Sequence, residues 1–129
     1  MLIPAMVFGT LAAAIHLYIF VLESLVWDRP ATRKAFGIRT DAEATATRPM
    51  AFNQGFYNLF LAILVALGMV LYLAGSTVAG ATLFFAGTGS MVAAGLVLLL
   101  SSPKLAKAAF VQLTAPALGI IFGLFALTP

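Results

Sequence analysis

His16 and Glu23 are the two residues whose types and spacing best suit chemistry inside an apolar stretch of this sequence. Both side chains can give or take a proton, as a catalytic acid or base must. They are seven residues apart, so a helix would place them on one face, about 10 Å apart along its axis. Because an ionisable group at membrane depth costs about 2.5–3.5 kcal/mol, we predict that both are catalytic residues.

A second polar set consists of amides and one phenol in two other apolar stretches. The predicted ligand-binding residues are Asn53, Gln54, Tyr57, Asn58 and Gln112. Residues four apart are neighbours on a helix surface, so Asn53 should lie beside Tyr57, and Gln54 beside Asn58. Beyond these residues and Thr114, the outer parts of both stretches, residues 59–71 and 115–127, have no strongly polar group. The set therefore predicts a polar pocket in one half of the membrane, closed towards the other half.

Each of these residues also has a structural interpretation. Glu23 is close enough to a charged loop to reach water or to pair with one of its arginines. His16 can hydrogen-bond a backbone carbonyl, or Asn58 as a link between helices. Asn53, at the predicted start of a helix, can be a cap. The residues alone leave these alternatives open.

Four apolar segments must position the polar residues. The chain of 129 residues is 63% hydrophobic and only 9% charged, which is outside the range of water-soluble domains. A helix needs about 20 apolar residues to cross the bilayer core. The sequence predicts an all-α integral membrane four-helix bundle in one domain, residues 1–129. The predicted helices cover residues 3–27, 52–74, 78–100 and 105–127.

The distribution of charge predicts the orientation of these helices. Of seven Lys and Arg residues, five lie between residues 28 and 50, and Lys104 and Lys107 follow the third helix. Basic residues stay on the cytoplasmic side, so we expect both termini on the non-cytoplasmic side of a bacterial inner (cell) membrane. Trp27 is expected to be an interfacial anchor. The first segment lacks the positive start of a signal peptide and should be a retained span.

Small residues predict where helices pack closely. Gly119 and Gly123 have the GxxxG spacing, and small residues also line the third helix. Such residues allow close backbone approach in a bilayer. The contacts can lie within one chain or between copies in a homo-oligomer, and the sequence does not decide between them.

Several classes of site are not expected. The chain has no cysteine, which excludes thiolate metal sites and thiol nucleophiles. His16 and Glu23 are too far apart to share one metal ion within a copy, so no metal site and no cofactor are predicted. No aromatic and basic module for nucleic acid is present. The expected partners are membrane lipid and a lipid-like small molecule.

Three sequence blocks resemble a family of small bacterial inner-membrane proteins, the domain of unknown function numbered thirteen-oh-four. The first two blocks have the patterns HLxxxxLE and NQGxYN. The blocks are residues 16–23, residues 53–58, and Val111-Gln112 followed by Pro116-Ala117. The resemblance covers nearly the whole chain. It implies a four-helix membrane protein and supplies no activity.

Arg48 followed by Asn53 and an apolar helix is similar to part of another pattern. That pattern belongs to the membrane-associated proteins of eicosanoid and glutathione metabolism. The likeness implies four-helix subunits, usually trimers, with a site on the cytosolic side that uses glutathione. Phe56 or Tyr57 stands where that pattern has a Glu.

The residues support several functions, and whether the protein is an enzyme is left open. In the first, a polar pocket in the cytoplasmic half binds or transforms a lipid-like or isoprenoid molecule, with Glu23 and His16 as acid or base. In the second, the protein is a structural or assembly component whose polar residues only lock helices. A transporter subunit with Glu23 as a proton site is a further alternative, as is a glutathione-using trimeric enzyme.

Overall fold

The computed structural model describes residues 1–127, in which all regular structure is helical. The α-helices are α1 (Leu2–Phe20), α2 (Pro30–Phe36), α3 (Asp41–Leu73), α4 (Thr77–Ser101) and α5 (Ala106–Leu127). A π-turn over Val21–Leu25 extends α1, and a 3₁₀ turn over Pro103–Leu105 precedes α5. Four helical segments are long and apolar enough to cross a membrane. The prediction of an all-α protein with four such helices is confirmed, and this is the architecture of a small membrane protein.

The four long helices form a bundle in which α1 and α4 are diagonally opposite. Helix α1 packs against α3 and α5, and α4 packs against the same two helices. Leu2, Tyr72 and Leu127 line one cavity, so the start of α1, the end of α5 and the α3–α4 turn lie together. We call this the terminal end. The opposite end carries α2 and most of the charge, and we call it the charged end.

The bundle core is made of mostly small and apolar side chains. It centres on Ala12, Val65, Phe84, Met91 and Ala115. Glycines bring the helices close together, since a Cβ on Gly68 would lie 2.6 Å from the backbone nitrogen of Phe84 in α4. A Cβ on Gly119 would lie 3.6 Å from the backbone nitrogen of Gly9 in α1. The GxxxG face of α5 therefore packs within the chain.

Helix α3 begins at Asp41 rather than at residue 52. Its first turn is capped, because Thr40 Oγ1 accepts a hydrogen bond from the Glu43 backbone N–H at 3.1 Å. Glu43 Oε2 in turn accepts from the Arg39 N–H at 2.9 Å, one residue before the Thr40 N–H that a regular capping box would use. Pro49 lies inside the helix and removes one N–H without ending it. The polar stretch predicted to be a loop is thus partly helical.

Trp27 is buried instead of facing the membrane interface. Only 8% of its surface is exposed, and its ring centroid is 5.0 Å from that of Phe36 in α2. Its Nε1–H donates to the backbone oxygen of Ala44 at 3.1 Å. The prediction of an interfacial anchor was wrong, because a short helix covers this residue. Trp27 instead joins the end of the first span to α2 and α3.

Ion pairs complete the charged end. Arg33 hydrogen-bonds Asp41 and also pairs with Asp28, while Arg48 of α3 pairs with Asp28 as well. The hydrogen bond to Asp41, followed by the negative charges of Asp41 and Asp28, raises the pKa of Arg33. These contacts hold α2 against the first turns of α3.

Candidate functional site

The π-turn that ends the first span contains Glu23 and its neighbour Ser24. The turn is closed by a hydrogen bond from the Val26 N–H to the Val21 oxygen at 3.1 Å. A π-turn is wider than an α-turn and is frequent at functional sites. The π-turn interrupts the regular α-helical phase before Glu23, so the seven-residue spacing does not by itself place His16 and Glu23 on one face.

Asn58 is the hydrogen-bond partner of Glu23. Its Nδ2 donates to Glu23 Oε2 at 2.9 Å and also to the backbone oxygen of Gln54 at 3.1 Å. Within residues 1–127, Glu23 Oε1 has no hydrogen-bond partner, and it is not sealed inside the protein. Both side chains are partly buried. Glu23 thus has one oxygen fixed by α3 and one oxygen available.

Ser24 and Gly55 bring α1 and α3 together beside this pair. Ser24 Oγ donates to the Phe52 backbone oxygen at 2.8 Å. A Cβ on Gly55 would lie 3.1 Å from Glu23 Cβ and would collide with Ser24 Oγ. Neither residue is in the predicted site. The available signal was Gly55 itself, since a glycine inside a helix costs about 1 kcal/mol relative to alanine and so often marks a close contact.

The other polar residues of α3 face outward. Asn53, Gln54 and Tyr57 are exposed, and the Tyr57 ring lies edge-on to Phe60 at 6.4 Å. Because α3 begins at Asp41, Asn53 is well inside the helix and cannot be its cap. Among residues 1–127, no hydrogen bond links the side chains of Asn53, Gln54 or Tyr57 to Glu23.

His16 lies in the bundle interior, apart from this surface. Only 1% of its surface is exposed, and its Nδ1–H donates to the backbone oxygen of Ala12 at 2.9 Å. The proton is placed on Nδ1 because a carbonyl oxygen only accepts. In the described part of the chain, His16 forms no hydrogen bond with Glu23 or Asn58.

Gln112 lies against a different helix from the one that holds Asn58. Its Cγ would be 3.5 Å from a Cβ on Gly95 of α4, and α5 packs against α1 and α4. Among residues 1–127, no hydrogen bond links Gln112 to the polar residues of α1 or α3. The structure brings Glu23 and Asn58 together, with the backbone oxygen of Gln54 as a second acceptor for Asn58, and leaves His16 and Gln112 outside this group.

Two cavities at the terminal end are apolar. One has a volume of about 30 Å³ and lies between residues such as Gly68, Tyr72 and Phe84. A more open groove of about 410 Å³ lies beside Met6 and Leu73. Neither is lined by a predicted site residue. Across residues 1–127, no three His, Asp or Glu side chains are grouped as metal ligands would be.

The family model described as "Protein of unknown function (DUF1304)" matches residues 10–124. The chain belongs to the DUF1304 family. This confirms the family predicted from the sequence blocks, and the matched range includes both residues 16–23 and residues 53–58. In this DUF1304 protein those two blocks contact each other through Glu23, Gly55 and Asn58, and the adjoining Ser24 packs on Gly55. No curated protein and no solved structure matches the chain.

Proposed function

We propose that this DUF1304 protein binds a lipid-like or isoprenoid molecule at the junction of α1 and α3, with Glu23 recognising its polar group. One observation carries the proposal. Glu23 uses a single oxygen for Asn58, and its second oxygen is not sealed inside the protein, while Gln54 and Tyr57, within one turn of Asn58 on α3, are exposed. A molecule lying in the bilayer beside α3 would meet this oxygen directly.

The free energies of hydrogen bonding and membrane insertion favour a ligand-binding role for Glu23 over a purely structural one. Hydrogen bonds between membrane helices contribute about 0.6 kcal/mol on average. A carboxyl group at the centre of a membrane helix costs about 2.5–3.5 kcal/mol, and less towards the helix end, where Glu23 lies. The one bond from Asn58 therefore offsets only part of the cost. A second donor, supplied by a ligand to Oε1, would offset more of it.

The groups present define the ligand class. Glu23 offers an acceptor, and the amides and phenol of Asn53, Gln54 and Tyr57 offer further hydrogen bonds. The nearby cations Arg33 and Arg48 are already paired with carboxylates. This combination suits a hydroxyl or amine head group on an apolar tail, and it disfavours a free carboxylate or phosphate next to Glu23. The partly buried side chain of Leu61, which follows Asn58 by three residues on the same side of α3, would contact the tail.

The site is assigned to the cytoplasmic half of the bacterial inner membrane. Seven Lys and Arg residues support this orientation, because all of them lie at the charged end. Basic residues near span ends are retained in the cytoplasm. Glu23, which closes the first span at that end, would then be reached from the inner leaflet. If a reaction takes place, Glu23 is the proton-transferring group in reach of the ligand, and His16 is not.

The proposal can be tested by native mass spectrometry of the protein extracted gently from its membrane. We expect a bound amphiphile with a hydroxyl or amine group on the unaltered protein. In Glu23→Gln its occupancy should fall about tenfold, since hydrogen bonds to charged groups contribute about 1.5–3 kcal/mol. The matched control is Glu43→Gln, which changes a glutamate outside the spans and should leave the adduct unchanged. Equal occupancy in all three proteins would overturn the proposal.

A helix-locking role is the second candidate, and one observation favours it. Ser24 hydrogen-bonds the Phe52 oxygen and packs on Gly55, so α1 and α3 are joined without any ligand. The same variant separates the two functions, because glutamine at position 23 still accepts a hydrogen bond from Asn58. If Glu23 only locks the helices, Glu23→Gln should change the stability of the protein little, and the unaltered protein should carry no bound amphiphile.

A further inference from the structure

The basic residues of the charged end fall into paired and unpaired groups. Asp28 and Asp41 form ion pairs with Arg33 and Arg48. Glu43 accepts a hydrogen bond from a backbone N–H. Among residues 1–127, no ion pair involves the remaining basic side chains. These are Arg29, Lys34, Arg39, Lys104 and Lys107. The acidic side chains outside the spans are thus already engaged, and a positive excess remains.

Three of the unpaired lysines lie around one contact between α2 and the turn before α5. Gly37, which ends α2, lies against Leu105, whose Cδ2 would be 4.0 Å from a Cβ at that position. The Gly37 N–H donates to the Lys34 backbone oxygen at 3.3 Å. Lys104 precedes Leu105, and Lys107 is in the first turn of α5. All three lysines are exposed.

Exposed apolar side chains continue from these lysines along α5. Phe110 and Val111 are each 54% exposed. They follow Lys107 by three and four residues and so share its helix face. A cation next to lipid-facing apolar surface suits a phospholipid, whose phosphate meets the lysine while its chains lie along the helix. Lysine stems can extend along such a surface while the ammonium group stays at the head-group level.

We propose that Lys34, Lys104 and Lys107 form a binding site for the phosphate group of an anionic phospholipid, with Phe110 and Val111 contacting its acyl chains. This site is separate from the one proposed at Glu23 and uses different residues and a head group of opposite charge. A lysine near a negatively charged lipid surface contributes an affinity gain of about fivefold. Two lysines acting together should therefore account for about 25-fold.

The test is a titration of the full chain in neutral detergent with phosphatidylglycerol or phosphatidylcholine of identical acyl chains, followed by native mass spectrometry. We expect the unaltered protein to bind phosphatidylglycerol more tightly. The affinity should fall about fivefold in Lys104→Gln and in Lys107→Gln, and about 25-fold in the double variant. The control is Arg29→Gln, an unpaired basic residue at the other end of α2, which should change the affinity less than twofold.

Three outcomes would overturn the proposal. Equal affinity for the two lipids would show that the head-group charge does not contribute to binding. If the double variant does not fold, the two single variants still test the site. An unchanged affinity in both would show that Lys104 and Lys107 do not bind the lipid. Displacement of phosphatidylglycerol by millimolar inorganic phosphate would assign the lysines to a soluble phosphate instead of a lipid.

Discussion

Asn58 donates a hydrogen bond to Glu23 across 2.9 Å and so joins α3 to the π-turn at the end of the first span. The two residues come from two of the three sequence blocks that carry the family resemblance. Ser24 and Gly55, one from each side of the junction, pack next to them. The two blocks therefore form one structural unit at the junction of α1 and α3.

Gly55 should be required for the close approach of α1 and α3. We expect Gly55→Ala to destabilise the protein by about 1–3 kcal/mol, because its Cβ would collide with Ser24 Oγ. The control is Gly89→Ala in α4, where a Cβ would meet nothing within 4 Å. That change should be neutral or stabilising, since alanine favours the helix. Unfolding in mixed detergent micelles measures both, and equal stability of the two variants would contradict the packing described.

Trp27 should behave as a buried residue, although it ends a membrane span. It is the single tryptophan of the chain, so its fluorescence is assigned without ambiguity. We expect weak quenching by acrylamide and by brominated lipids in the unaltered protein. Phe36→Ala, which removes the aromatic neighbour in α2, should increase the quenching of Trp27 by acrylamide and by brominated lipids. Strong quenching of the unaltered protein by brominated lipids would instead place Trp27 at the membrane interface.

The orientation of the chain can be tested with single cysteines, because the sequence contains none. Ser76→Cys lies in the exposed α3–α4 turn at the terminal end, and Ala35→Cys lies on the exposed side of α2. A membrane-impermeant thiol reagent should label Ser76→Cys on intact cells with a permeable outer membrane. Ala35→Cys should react only after lysis. The reverse pattern would invert the topology and move the Glu23 site to the outer leaflet.

A single copy should not conduct protons through the bundle. The core towards the terminal end is apolar, and the buried Thr88 hydroxyl donates to the Phe84 backbone oxygen in its own helix. The protein in liposomes with an internal pH-sensitive dye should dissipate a pH gradient no faster than empty liposomes. A faster dissipation that is lost in Glu23→Gln would revive the transporter interpretation.

The sequence was sufficient for the membrane helices and for part of the site. Bilayer thickness requires long apolar segments, so α1, α4 and α5 were visible in composition alone. The early start of α3 was missed because its first residues are polar, although Thr40 and Glu43 have capping-box spacing. The π-turn at Glu23 leaves no recognisable pattern. Its position depends on how α1 meets α3.

The depth of a residue in the membrane was easier to predict from the sequence than the identity of its neighbouring helices. Counting residues from the span ends placed Glu23, Asn58 and Gln112 at similar depths. Depth alone does not say which helices are adjacent, and α5 packs beside α1 and α4 and not beside α3. Gln112 therefore faces Gly95, whereas Asn58 reaches Glu23. The rotation of each helix about its own axis and the order of helices in the bundle required the structure.

The central claim, that Glu23 holds a ligand at the lipid-facing side of α3, is tested most directly by photo-crosslinking in living cells. A benzophenone amino acid would replace Tyr57, which is 56% exposed, and in a control Val97 of α4, which is 65% exposed. Position 57 should capture an amphiphile bearing a hydroxyl or amine that position 97 does not enrich, and Glu23→Gln should abolish this capture. If both positions capture the same bulk lipids, or if capture at position 57 is unchanged by Glu23→Gln, the claim is contradicted.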